Sequence, residues 1–145
     1  MKPVMKISKS ININSSPSLI WDALINPEKI KQYFSGVETI TDWQVGNQII
    51  FTHTYEGKVF INKGVILDFD SNRLLRYTYW TAFSNTEDKP ENYTIITYLL
   101  NEMNDSTNLM LTQTNLKNEA WYLNLDIGWN TVLSKIKDLV EVPTT

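Results

Sequence analysis

The last third of the chain constrains its fold most. Strand-like segments give way at Asn118 to one long amphipathic helix, EAWYLNLDIGWNTVLSKIKDLV, which Pro143 closes. From Glu119 to Glu141 such a helix spans roughly 34 Å at about 1.5 Å per residue, the width of a small curved sheet. Trp121, Leu125, Gly128, Trp129, Val132, Ile136 and Leu139 recur at helical spacing as a broad apolar stripe, so the helix must lie across another layer. Gly128 stands inside that stripe. A glycine in a helix interior costs about 1 kcal/mol relative to alanine, which points to close approach by another element or to space kept for a bound molecule.

What precedes the helix is mostly sheet. Met5 to Ile13 alternates apolar and polar residues, with Lys9 the exception on the apolar side. Ser16-Pro17 then opens a helix with Leu19, Ile20, Ala23 and Leu24 on one face, and Asn26-Pro27 opens a shorter one carrying Ile30, Tyr33 and Phe34. Period-two alternation returns over 37–42, 48–55, 58–70, 74–80, 93–100 and 108–114, six strands to join the first. Glu56-Gly57 reads as a two-residue hairpin, and the other short turns likewise make neighbouring strands antiparallel. The long polar connection Ser84 to Asn92 reads as a solvated loop, with a flap over a cavity mouth as the alternative. The expectation is an α+β fold of one domain, residues 1–145: a curved antiparallel sheet of about seven strands, two short helices after the first strand, and the long helix packed over the sheet.

Composition removes several function classes. With no cysteine and a single histidine, His53, there is no thiol chemistry and no ligand set for a zinc cluster, and no cofactor is expected. The net charge of −3 with scattered lysines offers no electrostatic footprint for nucleic acid. The amino terminus, MKPVMKISKSININ, lacks the apolar core of a secretory signal, and no later run approaches membrane-spanning length, so a soluble, cytoplasmic chain without membrane insertion is expected.

Strand parity selects a candidate site. Ile49, Phe51, His53 and Tyr55 share one face of the third strand, Leu75, Tyr77 and Tyr79 one face of the fifth, and Leu109, Leu111 and Gln113 one face of the seventh. In the sixth, Tyr93, Ile95, Thr97 and Leu99 compete with Thr94, Ile96, Tyr98 and Leu100 for the inward side, and the choice stays open. The interior then gathers Phe51, His53, Tyr77, Tyr79, Leu111 and Gln113, with Thr97 and Lys9 as further candidates, facing Trp121 and Leu125 of the last helix. Polar groups converging among apolar walls suit a small hydrophobic or amphipathic molecule. His53 could move a proton near neutrality or simply sit at the rim beside a tyrosine; without a partner for it, no catalytic residue is assigned.

The order strand, helix pair, six strands, long helix, with SPSLIWDALINPEKIKQYF near the start and GWNTVLSKIKDLVE near the end, resembles the helix-grip superfamily of START-like and Bet v 1-like proteins. Ser16, Pro17, Trp21 and Pro27, Gly64 with VILDFDSNRLLRYTYW, and Gly128-Trp129 are similar to the Activator of Hsp90 ATPase homologue 1-like group within it. The resemblance implies a sheet gripping the last helix around a pocket that in relatives holds lipids, steroids or polyketides. It also raises two rivals. One is a cyclase or aromatase using His53 as acid or base, with Tyr77 or Tyr79 orienting a carbonyl. The other is a protein-interaction module that binds a chaperone or other protein through the outer face with Arg76, Thr78, Thr112 and Thr114 or through the Ser84–Asn92 loop; self-association as a weak dimer, through an edge strand or the exposed side of the last helix, stands beside it. The co-chaperone that lends the group its name has a further amino-terminal domain that these residues do not supply.

Overall fold

In the computed structural model, which describes residues 4–141, β1 (Met5–Ile13) buries Ile7 and Ile13 and leaves its even residues to solvent. Pro143 lies outside the described residues. Proline at the first helical position starts both α1 (Pro17–Ile25) and α2 (Pro27–Tyr33), and the Asn26 side chain accepts from the Glu28 N–H to cap the second. Then come β2 (Glu38–Ile40), β3 (Gln48–Tyr55), β4 (Lys58–Asp70), β5 (Leu74–Tyr79), β6 (Thr94–Glu102) and β7 (Thr107–Leu116), and finally α3 (Glu119–Val140), whose first turn is capped by Asn118.

The strands form one antiparallel sheet in the order β1-β7-β6-β5-β4-β3-β2. The Glu56-Gly57 turn closes the β3–β4 hairpin directly, Tyr55 pairing with Lys58, and Phe51 comes to lie opposite Asn62. In β4 a bulge between Ile66 and Asp68 changes the phase, so Asn62, Gly64 and Ile66 face inward before it and Phe69 after it. At Gly64 the two backbones of β4 and β5 nearly touch: a Cβ there would fall 1.6 Å from the Thr78 carbonyl oxygen.

The helix α3 packs on β1, β7, α1 and α2 and stands away from β3–β5. Trp129, Leu133 and Ile136 are its buried face, each apolar side chain contributing about 1.5–3 kcal/mol by leaving water. Lys9, on the inward side of β1, meets Asp126 of α3 at 3.0 Å. The other end of α3 is tied to β1 by Lys137, which donates to the Asn12 carbonyl and pairs with Glu141. Because the helix is fastened along one half of the sheet, the other half is left with a gap beneath it.

Candidate ligand pocket

That gap is a pocket of about 270 Å³. Its buried floor consists of Phe51, Asn62, Tyr77, Ile96, Gln113 and Trp129; its half-buried rim consists of Phe34, Val37, Tyr79, Leu125, Gly128 and Val132. Five of the residues expected from the sequence thus meet here: Phe51, Tyr77, Tyr79, Gln113 and Leu125. A Cβ built on Gly128 meets nothing within 4 Å, so the glycine reflects open space and not close packing.

The other four stand elsewhere. Thr97 is on the outer face of β6, opposite Arg76 and Thr112, and Thr94, Ile96, Tyr98 and Leu100 are the buried set. Its place in the candidate site is therefore withdrawn. Leu111 faces inward but is packed into the core away from the lining, and Trp121 packs against the core nearer the start of α3. His53 has the inward parity, but β3 has run past the pocket by then, and the imidazole stacks on Tyr55, itself 59 % exposed. It sits at the sheet's edge, two residues past Phe51, and does not line the cavity.

Two polar groups of the floor, those of Trp129 and Gln113, are joined to each other and to the buried Thr94. Trp129 Nε1 donates to Gln113 Oε1 at 2.8 Å, Gln113 Nε2 donates to Thr94 Oγ1 at 3.0 Å, and Thr94 Oγ1 donates to the Tyr79 carbonyl at 3.0 Å. This chain of bonds links α3 to β7, β6 and β5. Burial pushes the Tyr77 phenol well above its ordinary range, with the nearby Tyr98 adding to the shift, and burial likewise raises Tyr79. Both stay protonated at neutral pH. Among the described residues no Asp, Glu, Lys, Arg or His borders the cavity. Among the described residues no group of His, Asp or Glu is placed to hold a metal ion, and no helix is long and apolar enough to cross a membrane.

The family model for Activator of Hsp90 ATPase homolog 1-like protein matches residues 14–141. The chain belongs to this family. The solution structure of ChR145 from Cytophaga hutchinsonii is 32 % identical, matches over 97 % of each chain and superposes with a TM-score of 0.82. MLL2253 from Mesorhizobium loti is 19 % identical over 97 % of this chain and 100 % of its own, with a TM-score of 0.80. The Aha1 dimer from Colwellia psychrerythraea is 18 % identical over 97 % and 99 %, with a TM-score of 0.75. The last two likenesses are of fold. No curated protein matches the chain.

In this member of the Activator of Hsp90 ATPase homolog 1-like family the long loop is no flap: none of residues 84–92 lines the pocket. Short 3₁₀ turns at Ala82–Ser84 and Pro90–Asn92 shape it, and Asp88 fastens it by pairing with Lys63 at 2.6 Å and accepting from the Tyr93 hydroxyl at 2.6 Å. The bond from Lys63, then that from Tyr93, holds the Asp88 carboxyl below its ordinary 3.8, while burial and then Asp88 push Tyr93 up to about 12. A depressed carboxyl contributes stability that is full above its unfolded value and lost as pH falls through the folded one; a raised phenol contributes below about 10 and loses it as pH rises toward its folded value. Loop amides should therefore keep their hydrogen-exchange protection across neutral pH and lose it, ahead of the β6 amides, below about pH 4. Unchanged relative protection down to pH 3 would deny the loop this anchor.

Proposed function

We propose that the protein binds a small, uncharged, hydrophobic or amphipathic molecule between its sheet and α3. The observation that carries this reading is the 270 Å³ space itself, roofed by a helix that places glycine where a side chain would fill it. Left dry, such a volume would cost about 6 kcal/mol at about 24 cal/mol per Å³, a large part of a domain's stability, so water or a ligand must occupy it. Aromatic and aliphatic walls with a few converging polar groups are the usual make-up of a small-molecule site. Proton-transfer chemistry on a bound molecule finds little support: the titratable lining groups are Tyr77 and Tyr79, both shifted away from neutrality, and His53 is outside the lining.

Gly128 supplies the test. Gly128→Ala should stabilise the free protein by about 0.5–1 kcal/mol in thermal or urea unfolding, since alanine favours the helix and meets no neighbour. Gly128→Phe should fold yet fill the cavity, and native mass spectrometry of freshly purified protein should show bound mass at unit stoichiometry in the wild type and in a His53→Ala control but not in Gly128→Phe. Equal bound mass in all three would place the molecule elsewhere.

Self-association is a second reading, favoured by an apolar patch on the outer face of the other sheet edge. Ile40 pairs with Ile50, and Val59, Ile61 and Val65 stand on the same face of β4, with Val59 63 % and Ile61 55 % exposed. Around Arg76, bonded to Asp68 at 2.6 Å, and the threonines of β5 and β7, that face is polar instead. A two-fold contact through the β2–β4 patch should appear as a concentration-dependent rise toward the dimer mass in sedimentation, and Ile61→Lys should remove it. A mass that stays monomeric at every concentration would end this reading.

A further inference from the structure

We infer that Gln113 is the specificity-determining residue of the pocket and that it selects a neutral ligand carrying a hydrogen-bond acceptor of the ketone or amide-carbonyl kind; the inference rests on the binding reading above. The orientation of the Gln113 amide is fixed by its neighbours. Indole Nε1 can only donate, so the atom facing Trp129 must be the amide oxygen. The single Thr94 hydroxyl proton goes to the Tyr79 carbonyl, so Thr94 must accept from the amide nitrogen. Flipping the amide would set two donors against each other at Trp129.

With that orientation locked, Gln113 has one N–H engaged and one left over. The residue is 1 % exposed and borders the cavity, so no bulk water meets the remaining proton. Leaving it unmatched has a desolvation cost, and an acceptor on the ligand removes that cost. Tyr79, held protonated by burial, adds a further donor to the lining, while the Tyr77 hydroxyl is turned to Tyr98. A carboxylate would also accept, but with no cation in the lining it would lose its hydration without a counter-charge. A hydrocarbon would leave the donor unpaired. The remaining class is apolar in outline, uncharged and tipped by a carbonyl.

The test uses three probes that each carry two phenyl rings on one carbon: benzophenone, diphenylmethane and diphenylacetate. Titration calorimetry on the intact chain should give benzophenone about tenfold tighter binding than diphenylmethane and weaker still for diphenylacetate. The infrared carbonyl band of bound benzophenone should lie below its position in alkane solvent, and Gln113→Met, of similar shape without a donor, should lose most of that shift and of the tenfold preference. The wild-type infrared band keeps the inference testable if Gln113→Met does not fold. Equal affinity for benzophenone and diphenylmethane, with the carbonyl band at its alkane position, would overturn the acceptor rule and leave the pocket reading intact. No binding by any probe, together with no bound mass on the purified protein, would overturn both.

Discussion

Replacing Gly64 by alanine is expected to cost at least about 4 kcal/mol, enough to leave little native protein at ambient temperature. The added Cβ would lie 1.6 Å from the Thr78 carbonyl oxygen and 2.4 Å from its carbon. Both are backbone atoms, so no rotamer change relieves the overlap; β4 and β5 must part. They are held close here by Lys63 and Trp80, which exchange N–H to carbonyl bonds of 3.1 and 2.8 Å, and by the Val65 N–H donating to Thr78 Oγ1 at 2.9 Å. Separation would break those bonds and displace Asn62 on one strand and Tyr77 and Tyr79 on the other, all of which line the pocket. Urea unfolding and amide shift dispersion measure the loss. A variant with the wild-type midpoint would mean that this crossing is looser than described.

The contrast between what the residues disclosed and what they concealed follows from how each register is set. In β3 and β4 a two-residue turn fixes the pairing, so Tyr55 opposite Lys58 already implies Phe51 opposite Asn62. Asn62 was thus within reach of sequence reasoning, but the bulge at Ile66 breaks the single parity that a long strand invites one to apply. Between β5 and β6 the link is the long loop around Asp88, which sets no register that a turn rule can read. Tyr77 could be assigned from its own strand, whereas Thr97 and Ile96 could not be told apart until the pairing of Tyr77 with Ile96 was known. His53 illustrates a different limit: alternation gives the face a side chain points to, not where along the strand the cavity ends. Phe34 and Val37 reach the rim only because α2 folds back beside α3, a tertiary placement that local pattern does not encode. The helix was the clearest case. Its stripe, its length and the glycine within it all depend on one period, and the structure resolves the two meanings of Gly128 in favour of space.

Trp129 should carry the second large effect, because packing and polar connection converge on it. It is 4 % exposed, and its ring meets Phe34 and Tyr98 edge to face at 5.9 and 6.0 Å. Trp129→Ala should destabilise by about 3–5 kcal/mol in urea unfolding, the usual range for emptying a buried tryptophan site, and more of the cost would be recovered by ligand if the new space joins the pocket. Trp129→Phe separates the two contributions. It keeps most of the aromatic contact but removes the donor facing Gln113 Oε1, so a loss of about 1–3 kcal/mol is expected from the stranded acceptor. If that bond is what couples α3 to the sheet, then Trp129→Phe in a Gln113→Met background should cost clearly less than in the wild type, by about 0.5 kcal/mol or more, since the acceptor is already gone. Strict additivity of the two substitutions would show that this bond adds nothing to the hold of the sheet on the helix, and the polar chain from Trp129 through Gln113 and Thr94 to the Tyr79 carbonyl would then serve only to satisfy buried groups.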